Sequence, residues 1–243
     1  MRIPRLFIDV DLISGEEINL PKDKAHHLSH VLRMRSGDLL TLFNDTDYEF
    51  DSTILELTKK NAKVQIRESA QIDNESSLKI TLCLGIARSQ HMDYSIQKAV
   101  ELGVHKIIPV MSEFSNVKLL DDRVKNKMTH WKNIIINATE QCGRSRLTQL
   151  FEPISFRECI ASEASATRLI LHPGSQKAMP EITIENNDLL IIVGPEGGFS
   201  DTEVKEAIEK NMIPISLGPR ILRAETAVVS ALSNAQQLWG DLN

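Results

Sequence analysis

Leu189 to Val193 is an unbroken apolar run of five residues, closed by Gly194-Pro195-Glu196-Gly197-Gly198. A run without alternation predicts a strand covered on both faces. Just beyond it, Ser200 and Glu203 have the spacing of a capping box, so a helix starts there with Val204, Ala207 and Ile208 as its inner stripe. Strand, glycine turn and helix start together put bare backbone N–H groups at the end of a buried sheet. In open α/β sheets, ligands bind at such places.

A related unit follows. Ile213 to Leu217 predicts a strand, Gly218 to Arg223 is its exit loop, and a helix from Ala224 carries Val228, Leu232, Ala235 and Trp239 on one side. A third strand end lies upstream, where Arg168 to Leu171 runs into His172-Pro173-Gly174. Three Gly- and Pro-rich strand exits in the last third of the chain predict one composite pocket.

The rest of the chain divides in two. Residues 1 to about 70 read as β-rich, with strands at Leu39–Phe43, Tyr48–Leu57 and Ala62–Ile66. One helix is predicted among them, Asp23–Arg33, with Ala25, Leu28, Val31 and Leu32 at helical spacing. The polar stretch Gln71–Ser77 marks a boundary, giving a small β-barrel-like domain over 1–72 and a larger one over 73–243. In the larger domain Leu78, Ile80, Leu82 and Leu84 alternate as a strand. A helix follows over Met92–Leu102, with Met92, Ile96, Ala99 and Val100 inward, and then a strand over Lys106–Val110. That order is a parallel βαβ unit, so the fold class is α/β. The longest helix is predicted over Asp121–Cys142, with Val124, Met128, Trp131, Ile135, Ala138 and Cys142 as a core stripe, and a short one over Ser155–Ser162.

Composition narrows the function classes. No apolar run approaches a membrane span, and the first residues lack the apolar region of a signal peptide, so the cytoplasm is the expected compartment. Cys83, Cys142 and Cys159 form no CxxC pair, which argues against a disulfide framework or a zinc cluster. His26 and His30 stand one helical turn apart, but no third ligand accompanies them. No metal site is expected, and these histidines read as surface or RNA-facing groups. Net charge is −5, yet basic residues cluster at Arg2, Arg5, Lys22, Lys24, Arg33 and Arg35, and again at Lys118, Arg123, Lys125, Lys127, Lys132, Arg144 and Arg146. Either cluster reads as a solvated face or a phosphate-binding one. The hydrolase elbow, the P-loop and the dinucleotide fingerprint are all missing.

Taken in combination, the Leu171-His172-Pro173 exit, GPEGGFS at Gly194 and LGPRILRAETA at Leu217 carry a family resemblance. So do HHLSHVLRMRSGD at His26, QKAVELGV at Gln97 and EQCGRSR at Glu140. The chain resembles the SPOUT-type methyltransferases and, within them, the 16S ribosomal RNA (uracil-N3) methyltransferases. The likeness runs nearly end to end. It implies a C-terminal parallel sheet with a trefoil knot, preceded by a PUA-like β-barrel that helps bind RNA. It also implies a homodimer, S-adenosylmethionine as methyl donor and 16S ribosomal RNA of the small subunit as substrate.

The residues that would hold the cofactor are Leu171, His172, Pro173, Gly194, Pro195, Glu196, Gly197, Gly198, Leu217, Gly218, Arg220, Ile221, Leu222 and Arg223. Glycines in those loops would let the main chain come close to the ligand. Arg223 is the candidate catalytic cation, stabilising an N3 anion, or else an ion-pair partner of Glu225 or Glu196. Glu196 reads as a base or a brace of the turn. Glu225 reads as a catalytic carboxylate or a helix-stabilising one. Arg2, Arg5, Arg33, Arg35, Arg144 and Arg146 are the RNA-binding candidates, with Arg144 and Arg146 reading as phosphate or cofactor-edge contacts. Departures from the family pattern stand at Ser89-Gln90-His91, Phe114 and Leu147-Thr148. They touch the expected RNA-binding edges and leave the cofactor loops intact. Two other readings stay open: a SPOUT enzyme acting on a tRNA base or a ribose 2′-hydroxyl, and a catalytically silent RNA-binding module.

Overall fold

The computed structural model describes residues 3–115, 121–161 and 167–242. Contacts divide the chain into two compact units, Met1–Glu75 with Thr139–Leu147, and Ser76–Ala138 with Thr148–Asn243.

In the first unit, β1 (Arg5–Phe7), β2 (Glu17–Leu20), helix α1 (Lys22–His26), a π-helical turn (His27–Val31), β3 (Leu39–Phe43), β4 (Tyr48–Leu57) and β5 (Ala62–Gln71) follow in order. The sheet runs β1-β3-β4-β5-β2, with β1 parallel to β3 and the other pairs antiparallel. Leu6, Leu28, Leu40, Leu42, Ile54, Val64 and Ile66 fill its core. Strands β1 and β2 have no legible period: one is three residues long and the other is mostly exposed. The edges of β3 and β5 recruit them by backbone hydrogen bonds. Strand β5 continues past Ile66 because its exposed end pairs with β4, Gln71 opposite Tyr48 and Ser69 opposite Phe50. The helix expected over Asp23–Arg33 is α-helical only to His26. Ala25 and Leu28 are buried, but the wider turn carries Val31 and Leu32 outward.

The second unit contains β6 (Lys79–Gly85), α2 (Ser89–Glu101), β7 (Lys106–Met111), α3 (Asp121–Cys142, whose last turn counts with the first unit), β8 (Gln149–Leu150), β9 (Ile154–Ser155), α4 (Phe156–Ala161), β10 (Thr167–Leu171), β11 (Lys177–Ala178), β12 (Asp188–Val193), α5 (Asp201–Glu209), β13 (Ile213–Ser216) and α6 (Ala224–Trp239). Its sheet runs β11-β13-β10-β12-β6-β7-β8, with β9 also on β7, and every pairing is parallel. Parallel sheets need cover on both faces. Cys83, Val110, Ile170, Leu190 and Ile192 pack with α4 and α5 residues Phe156, Cys159, Val204 and Ala207. Leu82, Leu169 and Ile191 alternate to the opposite face and are buried too.

This double cover explains two differences from the periodicity. Thr81 and Cys83 are buried between the leucines of β6, so its alternation does not mark a wet face. Ile208, expected on the inner stripe of α5, is 48% exposed, because Val204 and Ala207 already fill the contact. Helix α6 is fastened through Gln236, which is fully buried. Its amide nitrogen donates to the Leu102 carbonyl at 2.8 Å, and its oxygen accepts from the Ser76 hydroxyl at 2.8 Å. No helix among the described residues is long and apolar enough to cross a membrane.

Candidate functional site

Register places the site. Ile170 lies opposite Ile192, Leu171 opposite Ile215, and Val193 opposite Leu84, so β10, β12 and β13 end on one side of the sheet. Their exit loops line a single cavity of about 350 Å³. Leu171, His172, Pro173, Gly194, Pro195, Glu196, Gly197, Gly198, Leu217, Gly218, Arg220, Ile221 and Leu222 all border it. The three exits therefore meet, as their composition predicts. Val193, Phe199, Ile215, Ser216, Ala224 and Ala227 complete the lining. Phe199, Ala224 and Ala227 fall within the GPEGGFS and LGPRILRAETA motifs, whereas Val193, Ile215 and Ser216 are strand ends that no motif sets apart from core.

The loop after β12 is tightly held. Gly198 N–H donates to the Pro195 carbonyl at 2.8 Å. Ser200 and Glu203 form the expected capping box, with Glu203 N–H donating to the Ser200 hydroxyl at 3.2 Å and Ser200 N–H to the Glu203 carboxylate at 3.0 Å. Glu203 also accepts from Glu113 N–H at 2.8 Å, which ties the loop after β7 to the start of α5. Gly85, absent from the sequence-derived set, is required at the end of β6: a Cβ there would stand 2.5 Å from Pro195 N. At Gly197 the neighbouring loop adds a constraint of its own. A Cβ there would lie 2.8 Å from the Phe114 Cβ, so a neighbouring loop forbids the side chain.

Glu196 lines the cavity and accepts from Arg88 N–H at 3.0 Å, at the N-terminus of α2. It thus braces another element in addition to its own turn, and a carboxylate there suits the helix dipole. Arg223 does not line the cavity, although Leu222 and Ala224 on either side of it do. It is the N-cap residue of α6 and is exposed, with its guanidinium bonded to neither Glu196 nor Glu225 among the described residues. Glu225 lies in the first turn of α6 and borders a second, more open hollow with Gln90, His91 and Tyr94. His91 is the group that spacing missed. Its Nδ1 lies 2.9 Å from Glu225 Oε2, and its Nε2 lies 3.9 Å from Glu196 Oε1. A lone histidine in the first turn of a helix carries no sequence signal for this.

The RNA-binding candidates separate by burial. Arg5 is turned inward, with its side chain 8% exposed. It donates to Glu49 and to the carbonyls of Thr139 and Arg144, at 3.0 and 2.9 Å, and stacks on Phe43. Arg144 is likewise buried, against Glu75 at 2.6 Å. Both were expected to face RNA. Instead their guanidiniums satisfy carboxylates and backbone carbonyls inside the first unit. Arg146 is half exposed and donates to Asp47 at 2.7 Å, which raises its pKa and lowers that of Asp47. Arg33 and Arg35 remain exposed. Arg2, Lys118 and the side chain of Arg123 lie outside the described residues. Among the described residues, no group of three or more His, Cys, Asp or Glu is placed to hold a metal ion.

Comparison with known proteins agrees with this layout. An RNA methyltransferase domain model matches residues 74–236, and an RNA methyltransferase PUA domain model matches residues 20–67. The chain is 37% identical to the ribosomal RNA small subunit methyltransferase E of Buchnera aphidicola from Schizaphis graminum, over 100% of this chain and 99% of the relative. A Legionella pneumophila protein solved with the bound cofactor SAM superposes with a TM-score of 0.97 at 38% identity, over 100% of both chains. The ribosomal RNA small subunit methyltransferase E of Neisseria gonorrhoeae, solved with S-adenosyl methionine, superposes with a TM-score of 0.93 at 34% identity, again over 100% of both.

Proposed function

Because this chain belongs to the RNA methyltransferase family of ribosomal RNA small subunit methyltransferase E, we propose that it transfers a methyl group from S-adenosylmethionine to N3 of a uridine in 16S ribosomal RNA. One observation carries the reading: three strand exits, far apart in sequence, wall one cavity with main chain and apolar side chains. About 300–1,000 Å³ is usual for small-molecule sites, and this cavity is within that range. Apolar walls with exposed peptide edges suit an adenine ring and the aliphatic carbons flanking a sulfonium, and no metal is required of them.

The donor supplies a methyl group already attached to a good leaving group. The protein must then place a uracil in line with it and favour loss of the N3 proton. Leu171, His172, Pro173, Gly194 to Gly198, Leu217, Gly218, Arg220, Ile221 and Leu222 hold the cofactor in this reading. Arg223, exposed at the mouth and without a carboxylate partner in Glu196 or Glu225, provides positive charge for the developing N3 anion. Glu196, which lines the cavity, and Glu225, in the neighbouring hollow, both face His91 and are the candidates for taking the proton. Residues 1–72 form the RNA-binding domain and 73–243 the catalytic one. The proposal includes the trefoil knot, a homodimer working in the cytoplasm, and a target within the small ribosomal subunit.

Two measurements test it. Calorimetry should give stoichiometric heat with S-adenosylmethionine; no heat would point to a silent RNA-binding module. Nucleosides from a deletion strain should lack 3-methyluridine in 16S RNA. An unchanged level would refute the assignment to N3 and direct the search to tRNA or ribose targets.

A further inference from the structure

His26 and His30 have no part in the cavity, yet their rings are stacked. The centroids are 4.4 Å apart and the planes lie 6° from parallel. The stack forms where α1 gives way to the π-helical turn, in which Leu32 N–H donates to the His27 carbonyl at 3.0 Å. Such turns are rare and concentrate at functional sites. Ser29 orients one ring: its hydroxyl lies 2.9 Å from the Ala25 carbonyl and 2.9 Å from His30 Nδ1. The turn ends at Arg33, whose φ of 56° is in the left-handed region that non-glycine residues avoid.

The same segment is unusually open for its composition. Val31 is 62% exposed and Leu32 is 38% exposed, while His26, His30, Arg33 and Arg35 are all exposed. A solvated surface helix has no reason to turn two aliphatic side chains outward and distort its backbone twice within eight residues. A metal pair fits poorly. Imidazole lone pairs lie in the ring plane, so parallel stacked rings direct them side by side and do not converge them on one ion, and no third ligand stands near among the described residues. Flat rings, apolar side chains and free arginines are the chemistry that recognises single-stranded RNA. Bases stack on aromatic faces, and cations follow the backbone.

We propose that the His26–His30 stack is a platform for one unpaired base of an RNA strand, with Arg33 and Arg35 on the neighbouring phosphates. The proposal rests on the reading of the chain as an RNA methyltransferase. It adds a site separate from the cofactor cavity.

The test titrates the full chain into a single-stranded uridine decamer carrying one internal 2-aminopurine, a base whose fluorescence is quenched on stacking. The wild type should bind and quench. His26→Ala with His30→Ala should weaken binding roughly tenfold to a hundredfold and remove the quenching. His26→Phe with His30→Phe should restore both, since a phenyl ring keeps the stacking face and discards the imidazole nitrogens. If the alanine pair binds like wild type, or the phenylalanine pair fails to restore binding, the platform is wrong. The methyltransferase reading would still stand if S-adenosylmethionine gave stoichiometric heat with the same variants. If wild type binds no single-stranded RNA at all, the platform falls, while the methyltransferase reading is judged separately by S-adenosylmethionine heat and by 3-methyluridine in 16S RNA.

Discussion

His91 Nδ1 stands 2.9 Å from Glu225 Oε2, joining the first turn of α2 to the first turn of α6. The contact is close but not aligned as a hydrogen bond, so that carboxylate oxygen has no other partner. Removing the imidazole leaves that buried oxygen without its only close partner, at a cost of about 1–3 kcal/mol. His91→Ala should therefore lower the thermal midpoint by about 2–12 °C. Adding Glu225→Gln should recover part of the loss, because the neutral amide tolerates the site better. Additive effects in a double-mutant cycle would show that the two side chains do not interact.

Arg223 is exposed at the start of α6 and bonds to neither Glu196 nor Glu225. Arg223→Ala should leave the thermal midpoint unchanged. In the proposed reading, methyl transfer falls by about 10²–10³, as when one electrostatic stabiliser is lost, while S-adenosylmethionine affinity stays within a few-fold. Near-normal turnover would make Arg223 dispensable for chemistry.

Gly197 is held by the loop beside it, since a Cβ would lie 2.8 Å from the Phe114 Cβ. Overpacking of this kind costs about 1–3 kcal/mol, so Gly197→Ala should weaken S-adenosylmethionine binding by roughly tenfold. Phe114→Gly in the same protein removes the opposing atom and should return most of the affinity. If calorimetry finds no recovery, the added methyl group obstructs the ligand directly.

Arg144 is buried against Glu75, a pairing that loses much when one partner is cut. Arg144→Ala should cost about 3–5 kcal/mol in urea unfolding. An arginine that mainly contacts phosphate would instead show unchanged stability and a shallower salt dependence of RNA binding.

Cys83 is buried, and its thiol is pushed well above the ordinary range by hydrogen bonding with Cys159 and by desolvation. The reactive species is the thiolate. At pH 8, iodoacetamide should therefore label only Cys142, the partly exposed thiol, in the native protein. Mass spectrometry detecting early modification of Cys83 would show that the β6–α4 core opens readily.

Local pattern carried the elements whose burial follows their own spacing. Met92 to Val100 and Trp131 to Ala138 were legible because each repeats at the period of a helix, Leu189 to Val193 because an unbroken apolar run marks a doubly covered strand, and the capping box at Ser200 is a four-residue signal. Ile208 and Val31 are instructive failures. Each fits a helical stripe, yet both side chains are exposed: Val204 and Ala207 fill the contact of α5, and the π-helical turn rotates Val31 outward.

Taken alone, the sequence determined the class of fold, the three Gly- and Pro-rich exits and their family resemblance, because backbone geometry at a turn depends on the residues in it. Only the tertiary structure decided which charges are free. Arg5 and Arg144 look like phosphate ligands in one dimension, but they are spent on Glu49, Glu75 and carbonyls brought from distant segments. His91 shows no motif, yet it bridges two carboxylates. A side chain's type sets what it can bond to. Whether it is available depends on partners that chain folding delivers from far along the sequence, and no local period encodes them.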